Sequence, residues 1–396
     1  MIYVAFLCPF FLSGILSIFQ LSESKQLIGE LDGFALRYIG GEEIALYIAA
    51  NIFVGVFLWV VYQFLLKLRI RPKWGIVDIA RLTLIFIIVV LCHIAFTLMT
   101  GVGVVLSDAT SPFSPLFAML NPACIFPIWY ILARQYHKSQ AWVIVGLILY
   151  SILKIMQGWT GFLIVIFSIE LFIAFKYRKE KINARYRWLF ICSLSFLLIP
   201  IGAIAYQAMY PMKMAARGVM VEQPTYSESL VKLTDRLTFV PMALGAMDSV
   251  KEISDFYQVN DYEFNETKTI LRPLLPSFLM PDKTFRSLNN LVVYSYYNRV
   301  DNTTSSDLGL VAYLYVLYKC SPVDLLVWFF FCPVLLIFSK IALNGFEVKK
   351  NDCIFLTFFT LFQIYYTSSI EQVFSYGYVG LLFWMPLLIL FRSFRR

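Results

Sequence analysis

The sequence predicts an all-α, polytopic membrane protein of about ten transmembrane helices with one large loop containing short helices. Three observations carry this. Hydrophobic residues make up 60% and charged residues 15% of 396, with a mean hydropathy of +0.72, whereas soluble domains carry about 25% charge. The apolar residues are gathered into runs of about 20, the length that crosses a hydrocarbon core as a helix. One long polar segment, 209–307, interrupts them.

The runs follow in order. Residues 2–21 form the first helix; with no basic flank before it and no small-residue cleavage signal after it, it is expected to be a retained span rather than a signal peptide. An acidic stretch with Glu23, Glu30, Asp32, Glu42 and Glu43 leads to helix two, 44–66, which ends on Lys67, Arg69, Arg71 and Lys73. Helix three is 76–99 and helix four 116–133, closed by Arg134 and Lys138. Helices five and six, 141–153 and 161–175, precede a basic connector at 176–187, and helix seven spans 188–208. Beyond the polar segment come a short run at 308–318 and spans at 323–342, 353–368 and 373–391.

The signs of the connectors orient the chain. If 308–318 crossed the membrane, Lys349 and Lys350 would fall outside; if it does not, every short basic connector falls inside, as the positive-inside rule expects. Eleven residues rise only about 16 Å, too little to span. The expected organisation is therefore seven helices over 1–208, an outer loop or cap over 209–322 that includes a re-entrant or surface helix at 308–318, and three helices over 323–396, with both termini cytoplasmic. Ser321, Pro322 and Asp324 compose a helix start. No internal repeat is present.

Within the loop, Ser227 is placed to cap a helix reaching about Val240, and 243–257 repeats the helical period. Residues 271–283 hold three prolines and suit an extended segment rather than a helix or central strand. The formal charge of +8 sits largely in short connectors, so it points to membrane topology and not to nucleic acid. The seven cysteines lie in or at the edges of apolar runs with no metal-knuckle spacing, and neither a disulfide framework nor a metal site is expected.

The two histidines, His93 and His137, lie outside the loop, which also lacks cysteine. A zinc site or a Ser/His hydrolase on that face has no ligand or base, and no phosphate-cradling glycine loop or other cofactor motif appears. His93 reads as a packing residue of helix three. The loop does hold five arginines, Arg217, Arg236, Arg272, Arg286 and Arg299. Guanidinium groups bind phosphate bidentately at any physiological pH; the same arginines are also matched in number by Glu222, Glu228, Asp235, Asp248, Asp255 and Asp301 and would serve equally as surface pairs. Lys154 lies at the outer end of helix five, where it either snorkels or lines a polar cavity. Glu170 and Glu371 read as buried carboxylates, and Asp78 and Arg81 as a structural pair.

The Leu-Pro-Ser-Phe-Leu-Met-Pro-Asp-Lys stretch ending at Lys283 resembles an element of O-antigen and exopolysaccharide repeat-unit polymerases. Ser305-Ser306-Asp307-Leu308-Gly309-Leu310 followed by Tyr313 resembles the element after their large periplasmic loop. Gly158-Trp159-Thr160-Gly161 is similar to a helix start in that family, with Lys154 in place of the usual arginine. Arg236 with Gly245, and Arg299 with Gly309, resemble its arginine–glycine motifs. The resemblance implies a metal-independent glycosyltransferase of the bacterial inner membrane. It would move a growing glycan from undecaprenyl diphosphate to a new lipid-linked repeat unit on the periplasmic face. Its partners would be undecaprenyl-diphosphate-linked oligosaccharides, membrane lipids and a chain-length regulator protein. Catalysis would fall to Arg217, Arg236, Arg299, Asp307 and Glu371, and substrate binding to Lys154, Arg272, Arg286 and Tyr313. The alternatives are an O-antigen ligase, which resembles its relatives in a histidine absent from this loop, and a lipid-linked oligosaccharide flippase, which is expected to show internal pseudo-symmetry.

Overall fold

The computed structural model describes residues 2–27, 31, 33–70, 72, 74–104, 109, 111–159, 161–178, 186–216, 220–260, 262, 264–271, 275, 287–297, 307–346, 348–367, 384–390 and 392–393. Its helices are α1 (Ile2–Ser24), α2 (Gly41–Lys67), α3 (Ile79–Thr100), α4 (Ser114–Met119), α5 (Pro122–Tyr136), α6 (Gln140–Met156), α7 (Phe162–Arg178) and α8 (Arg187–Ala216). The polar segment contributes α9 (Tyr226–Leu237), α10 (Val240–Asp248), α11 (Val250–Val259), α12 (Asn265–Leu271) and α13 (Leu288–Tyr297). There follow α14 (Leu310–Cys320), α15 (Pro322–Gly345), α16 (Lys350–Thr367) and α17 (Met385–Leu390).

This is an all-α, multi-pass membrane protein. Among the described residues four stretches are long and apolar enough to cross a bilayer: α2, α3, α4 with α5, and α15. α2 shows why lipid is required, since Phe53 is 71% exposed and Leu46, Ile52, Val56 and Val60 are similarly bare. An apolar surface of that extent is not left to water.

The chain divides into two compact units. The first contains α3–α9. Its centre is aromatic: Phe86 stacks on Trp129 at 4.0 Å and Phe126 on Tyr150 at 4.1 Å, and the Trp129 indole N–H donates to Thr83 Oγ1 at 3.2 Å. The single helix expected at 116–133 is broken. Pro122 has no N–H and disfavours helical backbone at Asn121, so α4 stops, and the Asn121 side chain caps α5 through Ala123 N at 3.0 Å. Cys124 N then turns to Asn121 O, which deprives the Leu120 carbonyl of its helical donor. Nε2 of buried His93 takes that role at 3.2 Å. A carbonyl can only accept, so Nε2 carries a proton, and the packing role expected of His93 acquires a specific cause. Asp78 caps α3 and pairs with Arg81 at 3.3 Å. α8 continues eight residues past the expected 208 despite Pro200 and Pro211. At α9 the cap is Thr225 with Glu228 in a capping box, two residues ahead of Ser227.

The expected helix start at 158–161 is followed by α7 at Phe162, and Gly158 also closes the helix before it. At φ +77 it is the left-handed residue that ends α6, with Gly158 N on Ile155 O at 2.8 Å and Trp159 N on Lys154 O at 2.9 Å. These two bonds are the Schellman pattern.

The second unit contains α2 and α10–α17. Its hub is α14, packed by α10 and α11 of the polar segment and by α2, α15 and α16. Leu308, Ala312, Tyr313, Val316 and Leu317 have no exposed surface, while Tyr315 and Tyr318 on the same run are exposed, so the run at 308–318 buries one face against its neighbours. The helix expected over 243–257 is two helices joined at Ser249, whose hydroxyl donates back to Gly245 O at 2.8 Å. Gly309 precedes α14 at φ 70 and ψ 154, a region open only to glycine. A Cβ there would lie 2.4 Å from the Phe239 ring. Gly309→Ala is therefore expected to cost at least about 2 kcal/mol, from backbone strain and overpacking together. A fall of many degrees in the unfolding midpoint of the detergent-solubilised protein would be the measured sign; an unchanged midpoint would contradict this account of Gly309.

Candidate functional site

The described part of the polar segment in the second unit is held by three buried carboxylates. Asp324, in the first turn of α15, has no exposed surface. Its Oδ1 accepts from Thr267 N at 3.0 Å and Thr267 Oγ1 at 2.6 Å; its Oδ2 accepts from Glu266 N at 3.2 Å and Ser321 Oγ at 2.8 Å. A helix N-terminus presents unpaired N–H groups and positive potential, and here a side chain from another helix caps α12. Ser321 occupies the expected N-cap position of α15, but its hydroxyl is spent on Asp324 and caps no backbone.

Glu266, within α12, is equally buried. Its Oε1 accepts the first N–H of α13, from Leu288, at 2.7 Å, and its Oε2 accepts the Tyr313 hydroxyl at 2.7 Å. Asp324 thus fixes the start of α12, Glu266 fixes the start of α13, and Tyr313 ties both to α14. Tyr313, expected to touch substrate, has a fully buried ring and donates its hydroxyl to Glu266.

The third carboxylate reaches the acidic stretch after α1. Asp248 accepts the amides of Arg37, Tyr38 and Ile39 at 3.0, 2.6 and 3.0 Å, and the Tyr296 hydroxyl at 2.9 Å. Arg37 Nε adds a 3.4 Å contact to Asp248, Arg37 Nη1 pairs with Glu252 at 3.0 Å, and the guanidinium lies 4.7 Å from the Tyr296 ring centre. Burial raises the Asp248 carboxyl, but its bonds to Tyr38, Arg37, Tyr296 and Ile39 outweigh that and leave it below the usual carboxylate range. The turn beneath is closed by Leu27 N on Phe34 O at 2.7 Å. Leu31 sits against Gly245, where a Cβ would be 2.3 Å from its Cδ1.

The sequence-predicted residues are distributed as follows. Arg217, Arg272, Arg286, Arg299 and Glu371 lie outside the described residues, and so does most of 271–283. Arg236 is on α9 in the first unit, its side chain outside the description. Asp307 is half-buried, two residues before Gly309. Lys154 belongs to the first unit, where its ammonium donates to Gln157 Oε1 at 3.1 Å and faces the Tyr150 ring at 5.7 Å. Glu170 is not buried as expected; its side chain is 38% exposed and pairs with Arg134 at 2.9 Å. The sequence reading missed Glu266 and Arg37. Glu266 follows Asn265 at a helix start with no flanking charge to mark it, and the partners of Arg37 are more than 200 residues away.

A carboxylate that is buried and saturated with donors cannot serve as a general base, so Asp248, Glu266 and Asp324 are braces. Asp324 and Glu266 hold the chain at Glu266 and Thr267 in α12 and at Leu288 in α13. Among the described residues no group of acids, histidines and cysteines is arranged to hold a metal. No family model, curated protein or solved structure matches this chain.

Two outcomes are expected. Tyr313→Phe strands a buried carboxylate oxygen and should cost about 1–3 kcal/mol, read as a lowered unfolding midpoint; an unchanged midpoint would mean that Glu266 does not depend on Tyr313. The folded pKa of Asp248 lies below its unfolded value, so its contribution is complete above the unfolded pKa and is lost as pH falls through the folded one. Hydrogen exchange at the amides of 37–39 should be protected at neutral pH and released in acid. Asp248→Asn should release it at neutral pH by tenfold or more.

Proposed function

We propose that this protein is a polymerase of lipid-linked oligosaccharide repeat units, working on the outer face of the bacterial inner membrane. The carrying observation is that Asp324 and Glu266 bind a polar segment, rich in arginine and without histidine or cysteine, to the helices of the second unit. Asp248 joins the stretch after α1 to the same segment, so both lie on one side of the membrane. The sequence topology makes that side periplasmic. The resemblance of Leu271–Lys283 and of Ser305–Tyr313 to repeat-unit polymerases supplies the reaction class.

The proposed reaction is a glycosyl transfer. The bond between the donor sugar's anomeric carbon and the undecaprenyl diphosphate oxygen breaks. A hydroxyl oxygen of the incoming repeat unit bonds to that carbon, and its proton leaves. Negative charge grows on the departing diphosphate, and fixed guanidinium groups stabilise it without a metal. Arg217, Arg236 and Arg299 take that role, with Arg272, Arg286 and Lys154 on the glycan or diphosphate. Asp307 orients and deprotonates the acceptor hydroxyl, and Glu371 is the second carboxylate for that step. A separate chain-length regulator is the expected protein partner.

Deleting the gene should convert ladder-forming lipopolysaccharide to core bearing a single repeat unit on a gel. Bare core would instead indicate a ligase or a flippase and overturn the reading. Arg236→Ala and Arg299→Ala should each shorten or abolish the ladder while the protein accumulates normally. Full-length ladders from both would remove these arginines from the site.

A further inference from the structure

The first unit holds a cavity of about 260 Å³ lined by Tyr130, Arg134, Gln140, Val143, Ile144, Leu147 and Glu170. This is below the roughly 300–1,000 Å³ of ordinary small-molecule pockets, so it does not accommodate a lipid-linked oligosaccharide. One side is apolar and opens outward, with Ile144 55% exposed. The other side is a charge pair: Glu170 Oε1 accepts from Tyr130 OH at 2.7 Å and from Arg134 Nε at 2.9 Å, and Arg134 Nη1 reaches Gln140 Oε1 at 3.4 Å. Among the described residues nothing bonds to Glu170 Oε2 or to Arg134 Nη2. A paired cation and anion therefore each keep one hydrogen-bonding position open, side by side, above an apolar wall. Arg134 and Gln140 flank the short turn between α5 and α6, and helix ends lie at headgroup depth.

We propose that this cavity binds an aminophospholipid of the surrounding membrane. The lipid phosphate accepts from Arg134 Nη2, the primary ammonium donates to Glu170 Oε2, and an acyl chain leaves along Val143, Ile144 and Leu147. The zwitterion matches the pair charge for charge. A purely anionic headgroup offers Glu170 Oε2 no ammonium, and a trimethylated ammonium has no N–H to donate. The inference rests only on the chain being a membrane protein and is independent of the polymerase reading.

Native mass spectrometry of the full-length protein, washed free of lipid in detergent, tests this with phosphatidylethanolamine, phosphatidylcholine and phosphatidylglycerol in turn. Phosphatidylethanolamine should be retained about tenfold better than the other two, the value of one charge-assisted hydrogen bond. Glu170→Gln should abolish that preference. Ile144→Trp fills the apolar side without touching the charge pair and should displace phosphatidylethanolamine, an arm that stands even if Glu170→Gln fails to fold. Equal retention of all three lipids, a preference for phosphatidylglycerol, or undiminished phosphatidylethanolamine binding in Ile144→Trp would each overturn the proposal.

Discussion

A carboxylate withdrawn from water must be given donors, and the architecture of the second unit follows from how three such groups are supplied. Burying an unpaired charge costs several kcal/mol after relaxation, while each hydrogen bond to a charged group returns about 1.5–3 kcal/mol. Asp248 draws its donors mainly from backbone N–H groups in a turn, and Asp324 and Glu266 each draw half of theirs from backbone N–H groups at helix starts. Backbone donors are already fixed by the fold, so they add no side-chain ordering cost of the kind a lysine or arginine partner would bring. Each bond also closes a long loop of chain. Asp324 binds backbone 57 residues away and Asp248 backbone 210 residues away.

That assignment changes the electrostatics of the polar segment. Six of its acids were placed to neutralise its five arginines. Asp248 is taken by the amides of 37–39 and by Arg37, which lies outside the segment. Glu228 accepts Thr225 N at 2.9 Å in its own capping box. The twelve acids of the segment still outnumber its five arginines and five lysines together.

Much of the helical layout was legible because periodicity and length are local properties. α2, α3, α6, α7 and α15 all start and stop within a few residues of their apolar runs, and Asp78 and Arg81 pair as their spacing implies. The misreadings share a cause. Hydropathy is blind to Pro122, which splits an unbroken apolar run, and it read polar character at 209–216 as loop where α8 continues. The packing of α10 and α11 on α14 was not legible either, since contacts between separate elements leave no mark in a short apolar run. Glu266 and Arg37 were invisible for another reason: their partners are set by tertiary contact alone.

The glycines of the family-like motifs point to where function resides. Gly309 is required by a backbone region closed to other residues and by the Phe239 ring; Gly245 is required by Leu31; Gly158 ends α6. Each has a sufficient structural reason, so the glycine half of an arginine–glycine motif speaks for the fold and not for chemistry. The arginines have no such explanation within the sequence pattern. A long cationic side chain is indifferent to backbone conformation, and its recurrence at element ends is not demanded by packing. In this chain Arg272 directly follows α12, and Arg286 and Arg299 lie two residues outside α13 on either side. The same two helices are the ones whose starts are locked by Asp324 and Glu266. Asp324 and Glu266 therefore spend buried charge on fixing the starts of the two helices next to which the sequence places these arginines.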